Sequence, residues 1–284
     1  MLKGSVHVEY TVGDGNRIFQ YIFARLLSHI HGLELSSDSL KVLGVEKSAK
    51  KFNPQLPITH IDFDERDFNQ YLDKDRSPSN YLVYTHPEDY TIYKDYLDLI
   101  RGWFQDVPIT HKDDLVMHLR LGDRLIYRNE YCKDALTSLE EYIEAIKLFD
   151  YKRLYIVTDM PKWGQVKPED LIKMKFHVSV PSSMRADLKI ASNYFNSLVN
   201  GFSVLNPIVR VGNSVKDDFN FMRSFGQILF KHGTLAWWAA ALSHASRVGV
   251  YGPWRPNKGG NNKNLGQTDF AGWFRWGIGN GKIK

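Results

Sequence analysis

The sequence predicts an α/β fold with two α/β lobes that face a cleft. Apolar runs of strand length alternate with segments of helical periodicity along both halves of the 284-residue chain. The clearest strand, residues 114–121, runs into the segment HLRLGD at residues 118–123. Ligands bind at the carboxyl ends of parallel strands, and an arginine fork suits a diphosphate. We therefore expect an anion site around Arg120, with a purely structural ion pair between Arg120 and Asp123 as the alternative.

The first half of the chain begins with a strand, a glycine turn and a helix. Residues 5–12 alternate as a strand, residues 13–16 (GDGN) form the turn, and residues 17–31 have helical spacing. Further predictions are short strands at 41–45 and 58–63, a loop at 62–80, a helix at 87–104 and a linker at 105–112.

The second half of the chain presents three polar clusters to the expected cleft. Ser138 caps a helix that runs to about residue 149, and a strand at 153–157 ends in Thr158 and Asp159. Strands are predicted at 176–180, 203–211 and 247–251, and helices at 215–230 and 235–246, the latter capped by Thr234. The clusters are residues 118–123, 158–159 and 232–234. The predicted lobes are residues 1–110 and 111–252, with a Gly/Trp-rich tail at 253–284 that packs back on them.

Composition narrows the class of protein. The net charge of +5 suits a polyanionic ligand such as a nucleotide but is too small and dispersed for nucleic acid. A single cysteine, Cys132, excludes an intrachain disulfide framework. No apolar run reaches the roughly 18 residues of a membrane helix, and the first residues do not resemble a signal peptide. We expect a soluble cytoplasmic protein and leave its oligomeric state open.

Three separated segments resemble motifs of the α-1,2-fucosyltransferases. Residues 13–25 (GDGNRIFQYIFAR) resemble G-x-G-N-x-x-F-Q-Y-A-F-A, and residues 118–123 resemble H-x-R-x-G-D, which α-1,6- and protein O-fucosyltransferases share in similar form. Residues 218–240 resemble D-x-x-L-M … N-S-S-F-S-W-W-A-A, through Asp218, Phe221, Met222 and the segment GTLAWWAA. The three motifs occur in the family's order.

This resemblance implies a GT-B fold and an inverting, metal-independent glycosyltransferase. The donor would be a nucleotide sugar, GDP-fucose by default, the acceptor a glycan hydroxyl, and no cofactor would be needed. The resemblance implies that Arg120 contacts the donor diphosphate, that His118 lies against the nucleotide and that Thr234 holds phosphate. It also assigns donor-side positions to Asn16, Asp123, Thr158, Asp159 and Asp218. A bacterial or virus-encoded cytosolic enzyme would fit this description.

The chain departs from the family pattern close to the donor. His232 and Gly233 replace the family's asparagine and first serine, Arg17 replaces a glutamine, and Asp14 stands where leucine is usual. A UDP-sugar such as UDP-xylose is therefore the alternative donor on the same scaffold.

Asp14 is the expected catalytic base. Inversion requires a group that takes the acceptor's proton, and Asp14 lies on the amino-lobe glycine loop. Asp123 is the competing base, and the other interpretation of Asp14 is a turn aspartate that bonds its own backbone. Arg17, Tyr127 and Arg128 are expected on the acceptor side.

Two other functional classes stay open. Asp62 and Asp64 form a D-x-D pair, which in GT-A glycosyltransferases binds Mn²⁺ through hard oxygen ligands. A non-catalytic glycan- or nucleotide-binding protein is the second class, although such a scaffold could freely lose Arg120, Thr234 and Asn16. Trp237 and Trp238 are expected in the core.

Overall fold

The first of two parallel β-sheets lies in the amino-terminal part of the chain. The computed structural model describes residues 3–11, 13–62, 67–73, 78–126, 136–174, 186–231, 233–251 and 270–276. The first sheet has the strand order β2-β1-β4-β3, and every neighbouring pair in it is parallel. Its strands are β1 (Ser5–Val8), β2 (Glu34–Ser37), β3 (Ile58–Ile61) and β4 (Asn80–Val83).

The second sheet is larger and is also parallel, in the order β10-β9-β8-β5-β6-β7. Its strands are β5 (His111–Leu119), β6 (Leu154–Thr158), β7 (Ile208–Arg210), β8 (Phe225–Phe230), β9 (Arg247–Tyr251) and β10 (Trp273–Trp276). Strand β5 is central, and its alternate residues enter different clusters, Val116 one and Leu115 and Met117 the other. Both faces of β5 are therefore covered, as in other parallel sheets. The predicted α/β class is confirmed.

Helices cover the sheets and connect their strands. They are α1 (Asp14–His31), α2 (Leu97–Arg101), α3 (Gly122–Ile126), α4 (Leu139–Ile146), α5 (Pro168–Lys173), α6 (Leu188–Ser203), α7 (Val215–Arg223) and α8 (Thr234–Ala241). The predicted cap of α4 is confirmed, since Ser138 Oγ accepts a hydrogen bond from the Glu141 amide at 3.2 Å.

Helix α8 joins the two parts of the molecule. Its Trp237 and Trp238 are fully buried, as predicted. Their rings lie 5.4 and 5.0 Å from the ring of Phe19 on α1. One hydrophobic cluster consequently takes residues from both sheets, for example Val8 of β1 and Val116 of β5.

Several sequence predictions were wrong, because tertiary packing overrode local periodicity. The predicted helix at 215–230 ends at Arg223, and its second half is β8, whose six residues are all buried in the centre of the sheet. The predicted strand at 41–45 is a 3₁₀ turn, Lys41–Leu43, closed by Gly44 at φ +71°. The predicted helix at 87–104 is broken into 3₁₀ turns and α2.

The ends of other helices and strands also differ from the predicted ones. Gly233, and not Thr234, occupies the N-cap position of α8, which ends at Ala241. The predicted strand at 203–211 is reduced to β7, because residues up to Ser203 belong to α6, which was not predicted. The predicted strand at 176–180 lies outside the described residues. In the part of the chain that the structure describes, no helix is both long and apolar enough to cross a membrane.

Candidate functional site

Arg120 lies just beyond the carboxyl end of β5, between two carboxylates. Its Nη2 contacts Asp123 Oδ1 at 2.5 Å, and its Nη1 donates to Asp159 Oδ2. Asp159 follows the end of β6, and its other oxygen accepts the Leu121 amide at 2.8 Å. These contacts thus bring together two of the predicted clusters, 118–123 and 158–159. The ion pair with Asp123 exists, and 27% of the Arg120 side chain is still exposed at the sheet edge.

Gly122 explains the glycine of the HLRLGD segment. A Cβ at this position would overlap the Asp159 carboxylate and stand 3.3 Å from Arg120 Nη1. Only a residue without a side chain lets the Asp159 carboxylate come this close to the turn after β5.

His118 is buried on the neighbouring side of this cluster. It pairs in register with Phe230 at the end of β8 and is 5% exposed. Burial, assisted by the charge of Arg120, lowers the pKa of His118 to about 3, so the imidazole is neutral at physiological pH. Its Nδ1 has no hydrogen-bond partner among the described residues. It faces Gly233, where a Cβ would stand 3.5 Å from that nitrogen.

The amino ends of α1 and α8 meet beside His118. Thr234 Oγ1 donates to Asn16 Oδ1 at 2.7 Å. A Cβ on Gly15 would overlap the Thr234 hydroxyl and stand 2.5 Å from the Leu235 nitrogen. The amides at the start of a helix have no partner within it, and its dipole is positive there. Two such ends in contact make a region that favours an anion.

Asp14 and Arg17 stand at the exposed side of this junction. Their charged groups are 3.5 Å apart, and the two side chains are 37% and 39% exposed. Asp14 is the first residue of α1 and follows the N-cap Gly13. Arg17 Nε is buried and has no hydrogen-bond partner within the described segments.

Asp218 belongs to a second charged pair at the edge of the sheet. Its Oδ1 accepts a hydrogen bond from Arg210 Nε at 3.2 Å, and the Arg210 guanidinium lies 4.0 Å above the ring of Phe221. Burial raises the pKa of Asp218, and Arg210 opposes that shift. Arg210 pairs in register with Val157, next to Thr158. The hydroxyl of Thr158 accepts the Met160 amide at 3.3 Å, so it fixes the turn that carries Asp159.

Some predicted residues cannot be placed. His232, Tyr127, Arg128 and Asp64 lie outside the described residues. In the described ranges, no three His, Cys, Asp or Glu side chains gather as metal ligands.

The first sheet contributes polar residues that the sequence analysis missed. Gln20 is fully buried in α1 and donates to Tyr84 O at 2.7 Å and to Glu9 O at 3.2 Å. It therefore ties together the carboxyl ends of β1 and β4. A glutamine within an apolar helix face was the available signal.

Glu88 and His86 follow β4 and were missed as well. Glu88 Oε1 lies 3.4 Å from His86 Nε2, and both side chains are mostly buried. Burial raises the pKa of Glu88 to about 7, and the charge of Arg124 opposes this shift. Burial also lowers the pKa of His86 to about 4. The local sequence THPED has no pattern that separates it from an ordinary loop.

A depression of about 440 Å³ lies elsewhere, at the amino ends of β1 and β2. Lys3, Glu34, Lys51 and Asn53 are among its lining residues. It opens on the edge opposite to the carboxyl ends of the strands, where ligands of parallel sheets bind. This depression therefore lies apart from the candidate site.

Comparisons with known proteins gave one weak structural likeness. No family model matches the sequence, and no curated relative matches it. Among solved structures the chain is similar to the bacterial iron-containing dodecameric glycosyltransferase TibC from enterotoxigenic E. coli H10407, with 13% identity and a TM-score of 0.43. The match covers 99% of this chain and 65% of that chain, so the chain spans less than two thirds of the length of TibC. A TM-score of this size leaves the function to be argued from the site residues.

Proposed function

We propose that this chain is a glycosyltransferase of GT-B architecture, with lobes at residues 1–110 and 111–252. It would transfer a sugar, fucose from GDP-fucose by default, to a glycan hydroxyl with inversion and without a metal. The observation that carries the proposal is the convergence of Arg120, at the end of β5, with the joined amino ends of α1 and α8. His118 and Gly233 form the contact between these two parts.

The chemistry of sugar transfer explains this convergence. Breaking the bond between sugar and phosphate leaves negative charge on the departing diphosphate. The Arg120 guanidinium and the amides at the start of α8 would stabilise that charge in place of a metal. Asp123 and Asp159 keep the guanidinium fork in a fixed orientation, so little reorganisation is needed as the charge develops.

The nucleoside would lie along the carboxyl edge of the second sheet. The neutral His118 offers a buried ring nitrogen for a hydrogen bond to the nucleotide. Asp218, held by Arg210 next to the end of β6, would accept hydrogen bonds from a base. Gly233 has a φ of +133°, which disfavours the family's serine at this position. This departure keeps UDP-sugars such as UDP-xylose as the alternative donors.

The acceptor side belongs to the first sheet and to the segment after α3. Asp14 and Arg17 face solvent at the start of α1, where a glycan hydroxyl could reach the donor. We also propose an acceptor-side role for Tyr127 and Arg128, which lie outside the described residues. Asp14 and Asp123 are the two carboxylates that the sequence offers as proton acceptors. We propose a cytoplasmic enzyme with no nucleic-acid partner.

Calorimetric titration with GDP and with UDP, each with and without EDTA, tests the proposal. We expect GDP to bind in both conditions and Arg120→Ala to abolish that binding. Tighter binding of UDP than of GDP would indicate that the donor is a UDP-sugar. Gly233 would then be the first residue to substitute in a test of donor preference. Loss of nucleotide binding on addition of EDTA would support the alternative hypothesis of a metal-dependent enzyme that binds the ion through Asp62 and Asp64. Binding of neither nucleotide would contradict the proposed function.

A further inference from the structure

The segment after β4 reaches the same edge as the proposed donor site. Strand β4 neighbours β1 in the first sheet, and both point their carboxyl ends toward the start of α1. The segment then carries Glu88, whose side chain is only 12% exposed. A carboxylate this buried needs a compensating partner or a function.

The charge of Arg124, in the second half of the chain, acts on Glu88. This arginine belongs to α3, four residues beyond Arg120, and its charge acts on the Glu88 carboxyl group. A Coulomb effect of this kind requires proximity. The Glu88 carboxyl group is therefore within electrostatic reach of α3, the helix that begins at the Arg120 cluster.

The backbone beside Glu88 is held firmly. The Tyr93 hydroxyl donates to the Pro87 carbonyl at 2.7 Å. The Tyr93 ring packs 5.5 Å from Phe19 and 5.2 Å from Trp238. The backbone at Pro87, next to Glu88, is thus tied through Tyr93 to α1 and α8, the helices that carry Asn16 and Thr234.

The groups that surround Glu88 leave its carboxyl group able to exchange a proton near neutrality. Burial raises its pKa to about 7, while Arg124 draws it down. His86 is neutral at that pH, because burial lowers its pKa to about 4, so the 3.4 Å contact is not a charged pair. Among the described residues, Tyr93 and Asp89 are also close, since burial, together with the charges of Asp89 and Glu88, raises the pKa of Tyr93. A base is most effective when its pKa is near the working pH.

The two carboxylates suggested by the sequence are less suited to this role. Asp14 is 37% exposed and lies beside Arg17. Asp123 contacts Arg120 at 2.5 Å, so its charge is used to hold that guanidinium. If Asp123 took the acceptor's proton, it would lose the charge that orients the Arg120 guanidinium. This loss would occur while negative charge develops on the diphosphate.

We propose that Glu88 is the catalytic base for transfer, an inference that rests on the proposed sugar transfer. The acceptor oxygen forms a bond to the anomeric carbon, and the bond from that carbon to the phosphate oxygen breaks. Its electron pair leaves on the nucleoside diphosphate, and the acceptor's proton passes to the Glu88 carboxylate. Solvent then removes that proton after the product leaves.

Donor consumption by Glu88→Gln tests this role. The probe is GDP-fucose, with UDP-xylose in parallel, and the readout is release of the nucleoside diphosphate across pH 5.5–9, with water or a glycan as acceptor. We expect the rate constant kcat to fall roughly 10²–10⁴-fold. We also expect the rise of the wild-type rate through pH 7 to disappear, and calorimetric binding of GDP or UDP to stay within a few-fold.

Two further variants make the result specific. Glu88→Asp keeps the carboxyl group and should recover part of the rate together with the pH dependence. Glu34→Gln removes an exposed carboxylate at the opposite sheet edge and should leave both unchanged. Unchanged turnover and pH profile in Glu88→Gln would overturn the role of Glu88 alone. Absence of nucleotide binding and turnover in the wild-type chain would overturn the proposed function and this role together.

Discussion

The carboxyl edges of the two sheets differ in how their charged side chains are paired. At the second sheet, Arg120 is paired with Asp123 and Asp159, and Arg210 is paired with Asp218. At the first sheet, Glu88 is buried beside a neutral histidine. The first arrangement suits a group whose charge must stay fixed, and the second suits a group that must gain and lose a proton.

Substitution of Arg120 should give the largest effect among the tests of this contrast. We expect Arg120→Ala to lower transfer at least about 10²–10³-fold, because a preorganised donor to the leaving group is lost. Arg120→Lys should recover little, since an ammonium cannot span two carboxylates as a fork does. Arg247→Ala, at the start of β9 on the opposite edge, is the control and should retain activity. Near-normal turnover in Arg120→Ala would remove the donor-site assignment.

Glu88 should make the folded protein less stable at high pH. Its folded pKa of about 7 exceeds the ordinary value of 4.5, so the folded state keeps a proton that the unfolded state loses as pH rises. Stability therefore falls between pH 4.5 and about 7. At pH 8 Glu88→Gln should be more stable than wild type by up to about 3 kcal/mol, and the difference should vanish near pH 4. Urea unfolding of both proteins at pH 8 and near pH 4 measures this difference in unfolding free energy. An equal difference at the two pH values would mean that the carboxyl group is solvated.

The contact between α1 and α8 should make substitution of Gly15 more destabilising than substitution of the neighbouring Gly13. Gly15→Ala should cost about 1–3 kcal/mol, because the new methyl group would overlap the start of α8. It should also weaken GDP binding by moving Thr234. Gly13→Ala is a matched control, since nothing lies within 4 Å of its Cβ position and its φ is −65°. Equal unfolding free energies for the two variants would contradict the tight junction.

The bond between Thr234 and Asn16 should contribute less. Thr234→Val keeps the shape and removes the donor to Asn16 Oδ1, at a cost of about 1 kcal/mol in unfolding free energy. Thr59→Val, which alters a hydrogen bond within the first sheet, is a comparison away from the junction. A loss of nucleotide affinity specific to Thr234→Val would tie this hydroxyl to the anion site.

Asp14 should give the smallest effect if Glu88 is the base. Asp14→Asn removes an exposed charge 3.5 Å from Arg17 and should change kcat only a few-fold. A fall in kcat of a hundredfold, with nucleotide affinity retained, would return the role of base to Asp14.

The sequence predicted the parts of the fold that have strong local signals. Strand β5, helix α1 and the cap of α4 follow from an apolar run, helical spacing and a Ser-x-x-Glu pattern, whereas the predicted turn at 13–16 was wrong, because α1 already begins at Asp14. Strand β8 was hidden because FNFMRSFGQILF has apolar residues compatible with either period, and only its central place in the sheet makes it extended. Strand β10 has only four residues and lies between glycines in a Gly/Trp-rich segment, so its strand-favouring aromatic residues form too short a run to stand out.

The site was predictable where residues are close to a recognisable motif. The cluster of Arg120 with Asp159 was expected from two strand ends on one edge. Glu88 and Arg210 could not be found in the same way. Their importance comes from burial and from partners on other elements, which a local pattern does not record.

The shared core around α8 has a consequence for how the chain unfolds. Cutting the chain near residue 110 would separate Phe19 and Tyr93 from Trp237 and Trp238, which they help to bury. Either fragment would then expose a large aromatic surface to water. The two sheets should accordingly melt in a single cooperative transition, and neither half should persist as an independently stable domain.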